Sequence, residues 1–169
     1  MPIVAGDIHK RLSGGAANSD PNLSIGGAKS SVSITDATLH NLFDIVSSAE
    51  GTAGDTEYRC FYVHNNHGSL TMQSSKIYIS TNTPSDDTTV EIGLGAAAIN
   101  ATETATANES TAPAGVTFST AAGSGNALTI GDIPFGQHKA IWVKRIVSPA
   151  AAAYSADSVI ITITCDTAA

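Results

Sequence analysis

Two runs of β-branched and aromatic residues near the end of the chain constrain the fold more than any other feature. The first covers residues 137–147 (QHKAIWVKRIV) and the second covers residues 158–165 (SVIITITC). Turn residues bound both runs, with Pro134 and Gly136 before the first and Ser148-Pro149 after it. Because such side chains favour a pleated backbone, both runs are predicted to be core strands of an all-β domain.

Shorter apolar runs earlier in the chain predict the rest of a two-sheet β-sandwich. In the run at 57–63, Cys60 and Tyr62 alternate with Phe61 and Val63, so the two pairs are expected on opposite faces. Seven to nine strands at this spacing are typical of an immunoglobulin-like fold or a jelly roll, and both topologies stay open. The other predicted strands cover residues 7–12, 69–72, 76–80, 88–94, 115–119 and 127–130.

A stripe of apolar residues predicts one short helix over residues 36–47. Leu39, Leu42, Phe43 and Val46 recur at helical spacing and would form a single apolar face. We expect this helix to close one end of the sandwich.

The first thirty residues differ in composition from the rest of the chain. Glycine, serine and alanine dominate residues 13–28, and large apolar side chains are few. Such a segment cannot build a core of its own. The sequence therefore predicts an extended N-terminal arm over residues 1–30 and a β-sandwich domain over residues 31–169. Either the arm reaches a neighbouring molecule, or it lies across its own domain.

The charge balance argues against several classes of partner. Eight Lys and Arg residues stand against fifteen Asp and Glu residues, which gives a formal net charge of −7. Nucleic-acid binding depends on clustered cations, and the densest cluster here is Lys139, Lys144 and Arg145. We therefore expect no nucleic-acid partner. We also expect no membrane role, because no apolar run is long enough to span a bilayer. The N-terminus does not resemble a signal peptide, so synthesis in a cytoplasm is predicted.

Three segments contain side chains that bind ions or phosphate in other proteins. Residues 26–30 (GGAKS) lack the spacing of a phosphate-binding loop. His64 and His67 flank a predicted turn, but a structural zinc site takes about four ligands. The loop at 85–88 (SDDT) lacks calcium-loop spacing. We predict no metal site and no cofactor, unless the fold gathers further oxygens from Asp55, Glu57, Asp86 and Asp87.

Residue types used in catalysis are present but form no motif. No Gly-x-Ser-x-Gly segment presents a nucleophilic serine. His9, His40 and His138 stand in unrelated contexts and define no triad. We predict that the chain is not an enzyme. Trp142 lies in the most apolar strand and is expected in the core rather than on a ligand.

Two cysteines, Cys60 and Cys165, each fall within a predicted strand. A disulfide between neighbouring strands is one possibility. We favour two buried free thiols.

Seven short segments, in order along the chain, combine turn residues with strand motifs. They are residues 11–22 (RLSGGAANSDPN), 26–28 (GGA), 42–44 (LFD), 54–60 (GDTEYRC), 111–116 (TAPAGV), 134–137 (PFGQ) and 142–145 (WVKR). Together they resemble small structural proteins of tailed bacteriophage virions. Members of such families are often head decoration (cement) proteins, and others belong to tails.

The resemblance implies a virion structural protein at the capsid surface, made in the host cytoplasm. A cement protein stabilises the head by bridging capsomers, so the implied partners are the major capsid protein and copies of this chain in a homo-oligomer. The composition agrees, because Ala, Ser, Thr and Gly make up 79 of the 169 residues. Such small side chains lose little entropy when two surfaces pack closely.

Two alternatives stay open. One is a phage tail, baseplate or host-receptor-binding component, in which residues 64–68, 83–88 and 95–114 form loops at one end of the sandwich and contact a cell surface. The other is a carbohydrate-binding module with an exposed aromatic platform. The chain has only nine aromatic residues, and most of them alternate into predicted strands.

Overall fold

The computed structural model describes residues 2–167, which form an all-β fold of two antiparallel sheets. Sheet 1 has the strand order β1-β2-β6-β4, and sheet 2 has the order β5-β3-β7. From β2 onward every connection crosses from one sheet to the other. The predicted two-sheet β-sandwich is confirmed. Its strands are β1 (Ile8–Leu12), β2 (Asp55–Asn65), β3 (Met72–Thr81), β4 (Thr88–Leu94), β5 (Leu128–Ile133), β6 (His138–Val147) and β7 (Ile160–Thr167).

The main core lies between the two sheets and follows the alternation of the strands. Phe61 of β2 and Ile141 of β6 are paired in sheet 1, and both side chains are buried. Ile77 and Ile79 of β3 pack in the same cluster from sheet 2. Cys60 and Tyr62 belong instead to a second cluster, on the outer face of sheet 1. The predicted division of β2 into two faces is therefore confirmed.

The predicted strands at 69–72 and 76–80 are parts of one longer strand, β3. Its pairing with β5 shifts register between Met72 and Ser75 and again before Lys76. Ser74 adopts a left-handed backbone conformation with φ of 49°. This bulge accounts for the interruption in the sequence pattern, because an extra residue reverses which side chains face the core.

The predicted helix over residues 36–47 is not formed, and the short helix α1 covers Ser48–Ala53 instead. The backbone at Ala37 and His40 has positive φ, which breaks a helix. Leu39 is 71% exposed, while Phe43 packs against two arginines of the sandwich. These tertiary contacts outweigh the helical spacing of the apolar residues.

A capping box starts α1. Ser47 accepts a hydrogen bond from the Glu50 amide at 3.3 Å, and the Glu50 carboxylate accepts one from the Ser47 amide at 2.6 Å. Gly54 ends the helix at a φ of 77°.

Residues 8–34 lie against the sandwich and do not form the extended arm placed at 1–30. Residues 8–12 are strand β1, and the chain then folds back so that Ser13, Ser24 and Ser30 are fully buried. The Asn18 side chain donates to the carbonyls of Ser13 at 2.6 Å and Asp20 at 3.0 Å. Turn chemistry therefore organises this segment, and it follows the second arrangement that the sequence allowed.

Candidate functional site

The outer face of sheet 1 is covered by two segments of the chain. We call residues 13–34 and 95–118 the outer layer. The Tyr62 hydroxyl joins the two segments, because it donates to the Gly27 carbonyl at 2.6 Å and accepts from the Glu103 amide at 2.8 Å. Burial raises the pKa of this phenol to about 12. The outer layer thus closes a face that antiparallel sandwiches often leave in water.

A second cluster packs under the outer layer. Trp142, Tyr62, Cys60 and Ala140 are almost completely buried there, and Phe118 packs against them from the outer layer. The predicted placement of Trp142 in the core agrees with the structure. Burial raises the pKa of the Cys60 thiol well above its ordinary range, so this cysteine is an unreactive core residue.

An ion-pair network closes one end of the sandwich. Glu57 accepts from the Arg145 Nε at 2.6 Å and lies 3.8 Å from Arg59, and all three residues are buried. The half-exposed carboxylate of Glu109 lies 2.5 Å from Arg59. The Phe43 ring contacts both guanidiniums, at 5.5 Å from Arg59 and 4.8 Å from Arg145. The charges of this region are therefore directed at one another rather than at a ligand.

Three histidines form a row across sheet 1. His9 of β1 pairs with His64 of β2, which pairs with His138 of β6. Their ring centroids are separated by 6.3 and 6.5 Å. This row could not be predicted from the sequence, because it depends on strand register, which no local pattern encodes.

Both ring nitrogens of His9 have hydrogen-bond partners. A guanidinium can only donate, so the Nδ1 of His9, 2.8 Å from Arg11, accepts. The Nε2–H of His9 then donates to the Gly6 carbonyl at 3.1 Å. His64 donates from Nε2 to the Gly136 carbonyl at 3.2 Å, and its buried Nδ1 has no partner among the residues described.

The surroundings of His64 and His138 disfavour their protonated forms. Burial, and next the charge of Lys29, lower the pKa of His64 to about 4. The same two causes lower the pKa of His138. Lys29 and Arg11 form no ion pair with any acidic residue between positions 2 and 167. These two imidazoles thus lie beside basic side chains that oppose a further positive charge.

The structure does not bring the predicted ligand residues together. The Nδ1 of His67 accepts from the amides of Ser69 at 3.1 Å and Leu70 at 3.0 Å, so it caps its own turn, while His64 belongs to the row. Asp87 accepts from the Ala152 amide at 2.9 Å. No group of three or more His, Cys, Asp or Glu side chains within the described part of the chain is placed to hold a metal ion.

The GGAKS segment does not cradle a phosphate, because its backbone amides are used within the fold. The Gly26 amide donates to the Ser13 hydroxyl at 3.1 Å, and the Gly27 amide donates to the Glu103 carbonyl at 2.9 Å. Both cysteines are free thiols, with Cys60 buried on the outer face of sheet 1 and Cys165 partly buried on β7.

Two surface depressions are shallow and contain few ionisable groups. The larger, of about 510 Å³, is lined by residues 119–122 with Asn126 and Ala127. The smaller, of about 230 Å³, is lined by residues 103–107 and 111–114, where Glu103 is the ionisable side chain. The Glu103 carboxylate already accepts from the amides of Ala96 and Ala97.

Both edges of sheet 1 are covered by the chain itself. Residues 30–34 pair with the outer edge of β1, as in the bond from the Leu12 amide to the Val32 carbonyl at 3.0 Å. On β4, Ile92 exchanges two backbone hydrogen bonds with Ser119. The Asn82 side chain satisfies the Val90 amide and carbonyl at 3.0 and 2.9 Å. Such covers prevent pairing with another chain.

Sheet 2 has an outer face without an equivalent layer, and we call it the open face. Ser80 of β3 and Thr162 of β7 are joined by a hydroxyl–hydroxyl bond of 3.0 Å. Lys76 and Tyr78 pair with Thr164 and Thr162 in register. The open face is therefore rich in small hydroxyl side chains and has few charges, with Ile160 as its exposed apolar member. Its members are Lys76, Tyr78, Ser80, Thr129, Ile160, Thr162, Thr164 and Asp166.

The loops proposed for cell-surface contact do not lie at one end of the sandwich. The turn at 64–68 adjoins the end of sheet 1 where His64 pairs with His138. The loop at 83–88 adjoins the opposite end, where Thr88 pairs with Val147. Residues 95–114 belong to the outer layer. Among residues 2–167, no helix has the length and apolar character needed to cross a membrane.

Comparison with known proteins gives no relative. No family model, no curated protein and no solved structure matches the chain.

Proposed function

We propose that the chain is a structural protein of a tailed-phage virion, and specifically a capsid decoration protein that stabilises the head by bridging capsomers. The observation that carries this proposal is the open face of sheet 2, where serine and threonine side chains are exposed, while both faces and both edges of sheet 1 are covered. Small hydroxyl side chains suit repeated, close contacts between protein surfaces. The likeness of segments such as 11–22 and 142–145 to phage virion proteins supports the same assignment.

The distribution of charge also supports a structural role. The buried guanidiniums of Arg59 and Arg145 are paired within the fold with the carboxylates of Glu57, Asp44 and Glu109. The largest exposed aromatics, Phe135 and Tyr154, lie on separate loops and form no common platform. This arrangement favours a contact protein over a carbohydrate-binding module.

A tail, baseplate or host-receptor-binding component is the second candidate. The segment resemblance supports it equally, since tails also contain such proteins. The separation of the 64–68 and 83–88 loops to opposite ends weakens it.

Electron microscopy of purified particles tests the proposal. We expect the sandwich to be found on the head, at junctions between capsomers. Particles made without the protein should release DNA more readily after osmotic shock, and adding purified protein should restore resistance. If the protein is found on the tail, or if heads that lack it resist osmotic shock equally well, the proposal is wrong and the tail component is favoured.

A further inference from the structure

The outer edge of β7 differs from the other strand edges of the fold. β7 is the last strand of sheet 2 and pairs with β3 alone. Within the described residues, no other backbone group pairs with Ile160–Thr167 along its outer side. One contact lies at the end of the strand, where the Thr167 hydroxyl accepts from the Ile3 amide at 3.3 Å.

The sequence of β7 has none of the usual protections of a free edge. Natural edge strands carry lysine, proline or bulges that prevent pairing with another chain. β5, the opposite edge of sheet 2, contains Gly131 at a φ of 91° and has an extra residue of its own between its pairings with Ser75 and Lys76, whereas the register shifts between β3 and β7 place the extra residues in β3. β7 alternates isoleucine and threonine over residues 161–164, after the exposed Ile160, and its charged residue is Asp166.

We propose that this edge pairs with β7 of a second copy of the chain, so that two three-stranded sheets join into one six-stranded sheet. A twofold axis places the two strands antiparallel. Residues opposite each other in an antiparallel pair share a face. Only those registers are therefore allowed in which a residue on the open face of one β7 lies opposite a residue on the open face of the other.

Two registers pair seven residues of each strand. In the first, Ile163 meets its own copy, Thr162 meets Thr164 of the second copy, and Asp166 meets Ile160. In the second, Thr164 meets its own copy and Asp166 meets Thr162. Neither register places the two Asp166 carboxylates opposite each other. At roughly 3.3 Å per residue they are separated by about 13 Å or more.

The strand matches its own antiparallel copy, because Thr164 lies opposite a threonine in both registers and the carboxylates lie apart, and this match is the reason to choose a second copy as the partner. Each copy has a formal net charge of −7, so most surfaces of two copies repel. β7 has a continuous backbone edge left unpaired by the described residues, and when two copies pair along it the two Asp166 carboxylates lie apart. Thr162 and Thr164 are positioned to form hydroxyl contacts of the kind already present between Ser80 and Thr162.

The oligomeric state of the purified full chain tests the inference independently of any virion location. We expect a dimer by analytical ultracentrifugation. The double variant Thr162→Glu/Thr164→Glu places carboxylates opposite one another in both registers and should weaken dimerisation by at least about tenfold. Thr129→Glu, on the outward side of β5, is the matched control and should leave the dimer intact. A monomeric wild-type chain, or a dimer unaffected by the double variant, would overturn the inference.

Cysteine trapping identifies the register in the same protein. In a Cys165→Ser background, Thr162→Cys/Thr164→Cys should form a dimer-linking disulfide in either register. Thr164→Cys alone should do so only in the second register. Thr129→Cys should remain unlinked. Linkage through position 129 in place of 162 or 164 would assign the interface to β5 and contradict the inference.

Discussion

Sheet 1 and sheet 2 are made of similar strands but differ in what surrounds them. Sheet 1 has a core on one face, the outer layer on the other, and chain segments along both edges. Sheet 2 shares the core but has an open face and the free edge of β7. Polar groups therefore serve opposite purposes in the two sheets. Those of sheet 1 close the fold, and those of sheet 2 are available to other molecules.

The outer layer shows how a segment with little apolar surface can cover a sheet. Hydrogen bonds tie it down, including that from the Cys60 amide to the Ser24 carbonyl at 2.6 Å. Close backbone approach matters as well. A side chain at Gly26 would meet the Thr104 carbonyl oxygen at 2.5 Å, and Gly26 has a φ of 95°. The segment whose composition predicts an extended arm is thus part of the cover of sheet 1.

Truncation of Trp142, which lies beneath the outer layer of sheet 1, is expected to cause the largest loss of stability. Trp142→Ala should lower the free energy of unfolding by about 3–5 kcal/mol, because it removes a fully buried indole beneath the outer layer. Tyr78→Ala on the open face is the control and should cost about 1 kcal/mol or less. Urea denaturation measures both. Equal losses would show that the two faces are equally buried in solution.

The ion-pair network gives the next largest effect. Glu57→Gln should cost about 3 kcal/mol, because it leaves the buried guanidiniums of Arg59 and Arg145 without their shared carboxylate. Glu91→Gln removes the partly exposed partner of Lys144, 3.0 Å away, and should cost less than about 1 kcal/mol. Thermal or chemical denaturation compares the two. A neutral Glu57→Gln would mean that the network does not contribute to stability.

A single hydroxyl group probes the attachment of the outer layer. Tyr62→Phe leaves the Gly27 carbonyl and the Glu103 amide without their partner and should cost about 2 kcal/mol. Hydrogen exchange should accelerate in residues 24–28 and 102–106. Tyr78→Phe on the open face should change neither quantity. If Tyr62→Phe also behaved like the wild type, the Tyr62 hydroxyl would not hold the outer layer in place.

The histidine row predicts a loss of stability in acid. The pKa of His64 is about 4 in the folded chain, and that of His138 is also lowered, so the unfolded chain takes up protons first as the pH falls. Their contribution is present above about pH 6.5. It is lost progressively as the pH falls from there towards 4.

Replacing the central histidine should weaken this acid response. His64→Gln should reduce the pH dependence of the unfolding free energy between pH 6.5 and 4, whereas substitution of the exposed His40 should not. Denaturation across this pH range gives the result. If His64→Gln leaves the slope of unfolding free energy against pH unchanged, the histidine row is not the cause of the acid response.

The fold could be predicted where local chemistry and tertiary structure agree. The β-branched run at 137–147 contains β6, the run at 158–165 covers most of β7, and alternation identified both faces of β2. The helix over 36–47 failed because Phe43 packs on two guanidiniums that are distant in sequence. The histidine row and the free edge of β7 depend on register and strand order. Those are properties of the whole sheet, so one sequence could not supply them.

We propose that sheet 2 makes the contacts with other molecules, while the polar groups of sheet 1 stabilise the fold. Hydrogen exchange of the protein free and bound to phage particles tests it most directly. We predict that protection increases across Lys76–Ser80 on assembly, with β2 and β6 unchanged and with β7 already protected in the free dimer. New protection confined to the outer layer at 13–34 and 95–118, with sheet 2 unaffected, would contradict the claim.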